Sequence, residues 1–305
     1  PSAQYKLSSL NKNTMFGIMI CKDINGNEKI LRAFSGALNG EYRIPGYVNP
    51  CFSITEFRKI EAEYSPLIHK ADEEERKKLS AECLGKINAL YSFSTWDGRL
   101  IGLPDKAPTG TGDCAGLRLI NTALRKNLEI RGLAEFMIGD DGTIETYPPC
   151  KERCSLLLPS MLGLDILYAD ESIAIINKEA GMLSVPGRGE DKLDSASYRF
   201  HRLFPSSPKE CFVHRLDMDT SGLLVMAFTK DAHRKLSMAF EARDVEKEYE
   251  ALLEGVIREE GGIIDRPMRL DVEHRPLQVI DPIQGKRAIT AWKRLGVTIV
   301  HGRKL

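Results

Sequence analysis

The sequence of 305 residues is short of several things. No apolar run reaches the roughly 18 residues of a membrane-spanning helix. The opening residues, PSAQYKLSS, lack the charged-then-apolar pattern of an export signal. Both absences point to the cytoplasm and away from a membrane. Net charge is also missing, because 43 basic residues balance 43 acidic ones. Nucleic-acid binders usually carry a basic excess somewhere, so the total counts mildly against one. Cysteine is odd in number, seven in all, which suits reduced thiols better than a disulfide framework.

What is present is a globular composition, 42% hydrophobic and 28% charged. The length allows one large domain or two ordinary ones. Charge is uneven. Lys286, Arg287, Lys293, Arg294, Arg303 and Lys304 follow one another with no acid among them, and a local basic face matters more to a phosphate backbone than the sum.

In chain order, residues 16–21 read as a buried strand, 23–27 as a hairpin turn and 31–36 as its partner strand. Apolar residues recur every three or four positions over about 54–91, which predicts a helical segment capped by Ser53 or Thr55 and broken at Pro66. The charge run at 72–78 is a solvated helix face. Residues 104–112, PDKAPTGTG, form a loop before a helix over 117–128. GTGD there lacks the Lys and spacing of a Walker loop, and Asp113 is expected to cap the helix. From residue 166 the pattern changes to short strands and tight turns: strands at 166–168, 173–178, 247–254, 263–265 and 288–292, helices at 192–203 and 231–243. The fold class expected is α+β. A mainly antiparallel domain at 163–305 follows a smaller α+β domain at 1–162.

Cys114, Cys150 and Cys154 each stand at a loop running into a helix. Helix N-termini favour thiolates, and three thiols could hold zinc. The layout loosely resembles the zinc deaminases, in which a Pro-Cys pair and a second Cys follow a first ligand. Two departures stand against it. The Cys150–Cys154 spacing is one residue too long, and Ala115 and Gly116 occupy the place of the catalytic Glu. Buried structural thiols are the simpler expectation, and the three remain metal candidates only.

Residues 212–227, FVHRLDMDTSGLLVMA, set a polar cluster between two apolar runs. A plain turn has no use for His214, Arg215, Asp217 and Asp219 in so short a space. Asp217 could be a nucleophile, a general base or a metal ligand. Arg215 could pair with it or reach a phosphate or base edge. A salt-bridged structural turn is the plain alternative.

His214-Arg215-Leu216-Asp217-Met218-Asp219-Thr220-Ser221-Gly222 resembles the signature of the RluA-type pseudouridine synthases, HRLD, two variable residues, then TSG. Asn177-Lys178-Glu179-Ala180-Gly181 is similar to the family's NKP-G element, with Glu179 where Pro is usual. Lys247-Glu248-Tyr249 is similar to its K-x-Y element, and Gly285-Lys286-Arg287-Ala288-Ile289-Thr290 to its GK-A-T element. The resemblance implies isomerisation of specific uridines in structured RNA, ribosomal or transfer, with no cofactor. It makes Asp217 the essential carboxylate. Arg215 would fill the gap left by the flipped nucleotide. Tyr249 would stack on the uracil near the departing proton, and Lys178, Lys286 and Thr220 would contact RNA. His214 is expected to be structural. The family also carries a C-terminal element whose Arg pairs with the catalytic Asp. The chain stops at Leu305 before one, and Arg303 does not match its context. A C-terminally truncated and inactive chain is the expectation. No S4-like RNA module precedes the domain. A monomer is expected. The alternatives are a non-catalytic RNA-binding protein on the same fold and, from the cysteines alone, a deaminase–synthase.

Overall fold

The computed structural model describes residues 14–139, 141–148, 150, 152–274, 277–300 and 303–304. The opening residues 1–13, and His301 and Gly302 beside Arg303, lie outside the described residues. The chain divides into two compact units, residues 1–244 and 245–305.

In the first unit, β1 (Phe16–Lys22) and β2 (Glu28–Phe34) pair as an antiparallel hairpin. Asp23 closes its turn, accepting from the Asn25 and Asn27 amides at 3.0 and 2.9 Å. Helix α1 (Ile54–Lys70) starts at Ser53, whose Oγ accepts from Glu56 N. Pro66 does not break it. The break comes at Ala71, and Asp72 caps α2 (Glu73–Asn88) by accepting from Glu75 N at 2.9 Å. The charge run at 72–78 is exposed, as its composition predicts.

A short pair, β3 (Phe93–Ser94) and β4 (Leu100–Ile101), precedes α3 (Ala115–Arg125). Cys114, not Asp113, is the N-cap of α3. The Asp113 carboxylate turns instead to the buried Arg118, 3.4 Å away. Strands β5 (Glu129–Ile138) and β6 (Ile144–Tyr147) complete a sheet of order β2-β1-β5-β6, antiparallel throughout. α3 packs against this sheet and is buried almost all round.

Helix α4 (Cys154–Leu162) leads to a second antiparallel sheet, β7 (Asp165–Ala169), β8 (Ile173–Lys178) and β9 (Gly222–Ala227), with β8 central. Helix α5 (Ala196–Leu203), capped by Ser195, begins four residues later than the sequence predicts, after a short 3₁₀ turn. Thr229 caps α6 (Lys230–Ala242), which packs on β9. A main core runs through most of this, beside a smaller cluster of Phe16, Phe34, Leu38 and Ile44. Met19, Leu119, Leu157, Met161, Ile176, Phe200 and Leu224 belong to a single buried cluster. Residue 162, the expected domain boundary, ends α4 in the middle of that cluster's sequence span.

Gly163 closes α4 in the left-handed region, φ 67°. A Cβ there would meet the Trp96 indole. Gly163→Ala therefore combines backbone strain with a clash against a large ring. We expect a loss of about 2–4 kcal/mol, read as a lower urea midpoint with unchanged slope.

The second unit is a sheet of order β11-β10-β12, made from β10 (Gly261–Leu270), β11 (Gln278–Ile280) and β12 (Lys286–Lys293), again antiparallel. None of its described residues is buried. The strand expected at 247–254 is not formed, and Tyr249 there is exposed. A strand is held by a ladder of hydrogen bonds to a neighbour, and among the described residues no sheet includes 247–254. No helix among the described residues is long and apolar enough to cross a membrane.

Candidate active site

The polar segment 214–222 joins a bridge at Phe212, paired with Met226, to the start of β9. It is tied down at almost every second residue. His214 comes first. Its Nε2 accepts from Val225 N at 3.1 Å, which places the proton of a neutral ring on Nδ1. Its ring stacks on Phe240 of α6, centroids 4.7 Å apart and 19° between planes. This matches the structural role expected of it.

Leu216 is next and is buried. The Ser184 hydroxyl holds both of its backbone groups, accepting from Leu216 N at 3.0 Å and donating to Leu216 O at 2.6 Å. Met218 O then accepts from Gly181 N at 2.8 Å and from the Lys178 ammonium at 3.0 Å. Thr220 N donates to Asp217 O at 3.1 Å, closing a turn. Gly222 leaves the loop at φ 124°, a conformation that side chains rarely adopt, so the Gly of TSG is a backbone requirement.

Asp217 thus lies between two residues whose backbones are fixed on either side. Arg215 and Asp217 are exposed while Leu216 between them is buried. Both side chains are therefore open to solvent, on either side of a buried anchor residue. The arrangement presents a carboxylate and a guanidinium to solvent from a rigid base, which suits attack on, or proton exchange with, a large substrate. Asp219 is exposed and Thr220 half-buried beside them.

Lys178 is not where a phosphate ligand should be. It ends β8 and is 1% exposed. Its three protons go to the carbonyls of Glu179, Met182 and Met218, at 2.9, 2.7 and 3.0 Å. An ammonium has three donors, so none is left for RNA. Burial lowers its pKa, with the carboxylates of Asp219 and Asp217 acting the other way. Lys178 is a floor under the loop. Nothing in the sequence singles out Ser184. A Ser in a Gly- and Pro-containing loop carries no local signal of a long-range bond across 32 positions.

Tyr249 and Lys286 belong to the second unit, Tyr249 in an irregular stretch and Lys286 opening β12. Asp217, Arg215, Lys178 and Thr220 belong to the first. The Sγ atoms of Cys114, Cys150 and Cys154 lie within 4.8 Å of one another, on elements separate from this loop.

Known proteins resemble the chain over this same region. Residues 172–299 match the RNA pseudouridylate synthase family. The dual-specificity RNA pseudouridine synthase RluA of Haemophilus influenzae is 40% identical over 132 residues, 43% of this chain and 59% of that protein. Its namesake in Escherichia coli is 42% identical over 135 residues, 44% of this chain and 60% of that protein. A solved structure, human RNA Pseudouridylate Synthase Domain Containing 1, aligns at 28% identity with a TM-score of 0.32, covering 42% of this chain and 49% of that one. The chain spans about three-fifths of the length of the curated relatives. The similarity to the RNA pseudouridylate synthase family is thus carried by residues 172–299, and the HRLD–TSG loop lies inside the matched residues.

Proposed function

We propose that the protein isomerises uridine to pseudouridine in structured RNA, ribosomal or transfer, in the cytoplasm. The observation that carries this reading is the double anchoring of the loop around Asp217, by Ser184 on one side and by Lys178 and Gly181 on the other. In the reaction the N1–C1′ bond breaks, C5 bonds to C1′, and the C5 proton moves to N1. Atoms and electrons balance within the nucleotide, so no oxidant, reductant or cofactor is required. A fixed carboxylate is what the step needs, as nucleophile or as base. Asp217 is that group. The uridine must leave its stack to reach it, and the exposed Arg215 fits the gap left behind. Tyr249 is proposed to stack on the uracil, and Lys286 with Thr220 to hold RNA. Lys178 supports the loop from below, its three donors taken by backbone carbonyls. The catalytic domain is proposed to be 163–305 and to act as a monomer. Residues 1–162 are proposed as an extension with a separate role.

Pseudouridine mapping in ribosomal and transfer RNA from a strain lacking the gene tests this. At least one site should fall to background and return with the gene. An unchanged map would sink the proposal.

A further inference from the structure

We propose that Cys114, Cys150 and Cys154 ligate one zinc ion, in a site independent of the Asp217 loop. The seven cysteines fall into two kinds. Cys21, Cys51 and Cys211 are buried singly in the core, and Cys83 stands half-buried on α2. Cys114, Cys150 and Cys154 are gathered from two distant stretches of chain, with all Sγ atoms within 4.8 Å of one another. Tetrahedral zinc with Zn–S bonds of 2.3 Å sets sulfurs about 3.8 Å apart, so a shift of about an ångström at most closes the set. Thiolates are soft ligands and select zinc over magnesium or calcium.

The local backbone is built for this. Cys114 caps α3 and Cys154 is the first residue of α4, so two helix starts meet at the sulfurs. Positive helix ends favour the anionic form that binds metal. Cys154 N donates to Cys150 Sγ at 3.3 Å, a bond that orients a sulfur and relieves its charge. Three thiolates and Zn²⁺ leave one negative charge. The Arg153 guanidinium lies over Gly110, in the loop that leads to Cys114, 3.6 Å from where a Cβ would stand. Cys150 is exposed, and an exposed thiol packed against two others gains nothing in apolar burial.

Three protein ligands leave a fourth position open. A buried carboxylate stands beside the same helix start. Glu135 of β5 accepts from Gly116 N at 2.7 Å. A Cβ on Gly116 would lie 2.9 Å from Glu135 Oε2. The carboxylate therefore fills the space that a side chain at 116 would take. Zinc deaminases place a non-ligand Glu two residues after their first ligand, which here is position 116. Glu135 brings a carboxylate there from the neighbouring strand. Its oxygens are not among the atoms gathered within 4.8 Å, so it is a neighbour of the ion and not a ligand.

The full chain, purified under reducing conditions without chelator, should carry one zinc per molecule by plasma mass spectrometry. Cobalt titrated into the metal-free protein should give thiolate charge-transfer bands and the strong visible bands of a tetrahedral site. Cys114→Ser and Cys154→Ser should lose the metal, whereas Cys83→Ser and Glu135→Gln should keep it. The cobalt spectrum of the unaltered protein stands even if a variant fails to fold. No zinc above trace in zinc-supplemented protein, cobalt bands without thiolate character, a disulfide among the three thiols in place of metal, or zinc loss from Cys83→Ser equal to that from Cys154→Ser would each overturn the site. Loss of zinc from Glu135→Gln would overturn the three-thiolate ligand set. None of these readings depends on RNA modification, so the site and the proposed function fail separately.

Discussion

Asp217→Asn should abolish pseudouridine formation while leaving RNA affinity within about twofold. The substitution keeps size and shape and removes only the charge and basicity of one exposed side chain. The backbone bonds around it use Leu216, Met218 and the Asp217 carbonyl, so none is lost. Folding should be unchanged. Removal of an essential carboxylate typically costs more than about 10³-fold. The measurement is complementation: pseudouridine mapped in the deletion strain carrying Asp217→Asn, with filter binding of the purified variant to RNA. Restoration of any mapped site would remove Asp217 from the chemistry. Binding that collapses together with activity would instead mark the loop as part of a recognition surface.

Lys178→Met should damage both stability and turnover, without the signature of a lost phosphate contact. Methionine matches the length of the stem but donates nothing. The Met182 carbonyl then loses its ammonium partner, while Glu179 O keeps the Met182 amide and Met218 O keeps the Gly181 amide. An acceptor left alone costs about 1–3 kcal/mol. Release of the ammonium from a buried site offsets part of that. A net loss of about 1–2 kcal/mol is expected in denaturant melts. Turnover should fall about 10–100-fold, because a loop loosened by an ångström mispositions Asp217. KM and the salt dependence of RNA binding should hardly move. A lysine that touched phosphate would behave the other way, with weaker binding and a shallower salt slope.

These two residues also show what sequence can and cannot carry. Asp217 is legible because its neighbours alternate: a His that packs, an Arg that does not, a buried Leu, an exposed Asp. A short fixed pattern records that alternation. Lys178 is misread because a lysine at a strand end usually lies in solvent, and nothing adjacent reports three carbonyls converging on it from 179, 182 and 218. Two of those are local, but the third comes from 40 positions away. Ser184 is hidden for the same reason. The β1–β2 hairpin is local and is read correctly. The segment at 247–254 has strand composition without a strand, because pairing depends on a neighbour that composition does not supply. Pro66 misleads by one turn, since the chain stops its helix where Asp72 can cap a new one. Cys114, Cys150 and Cys154 are the reverse case. Their spacing departs from a known pattern, yet folding gathers them.

The Ser184 clamp has a consequence in time as well as in space. Leu216 N–H is held by a hydroxyl that itself sits a few residues beyond β8, the central strand of its sheet. Opening that amide to water means parting the loop from the bend at Ser184 that cradles it. Surface loops ordinarily exchange their amide hydrogens almost at once. Here the amide of Leu216 should exchange as slowly as those of β8, while Arg215 and Asp219 on either side lose theirs quickly.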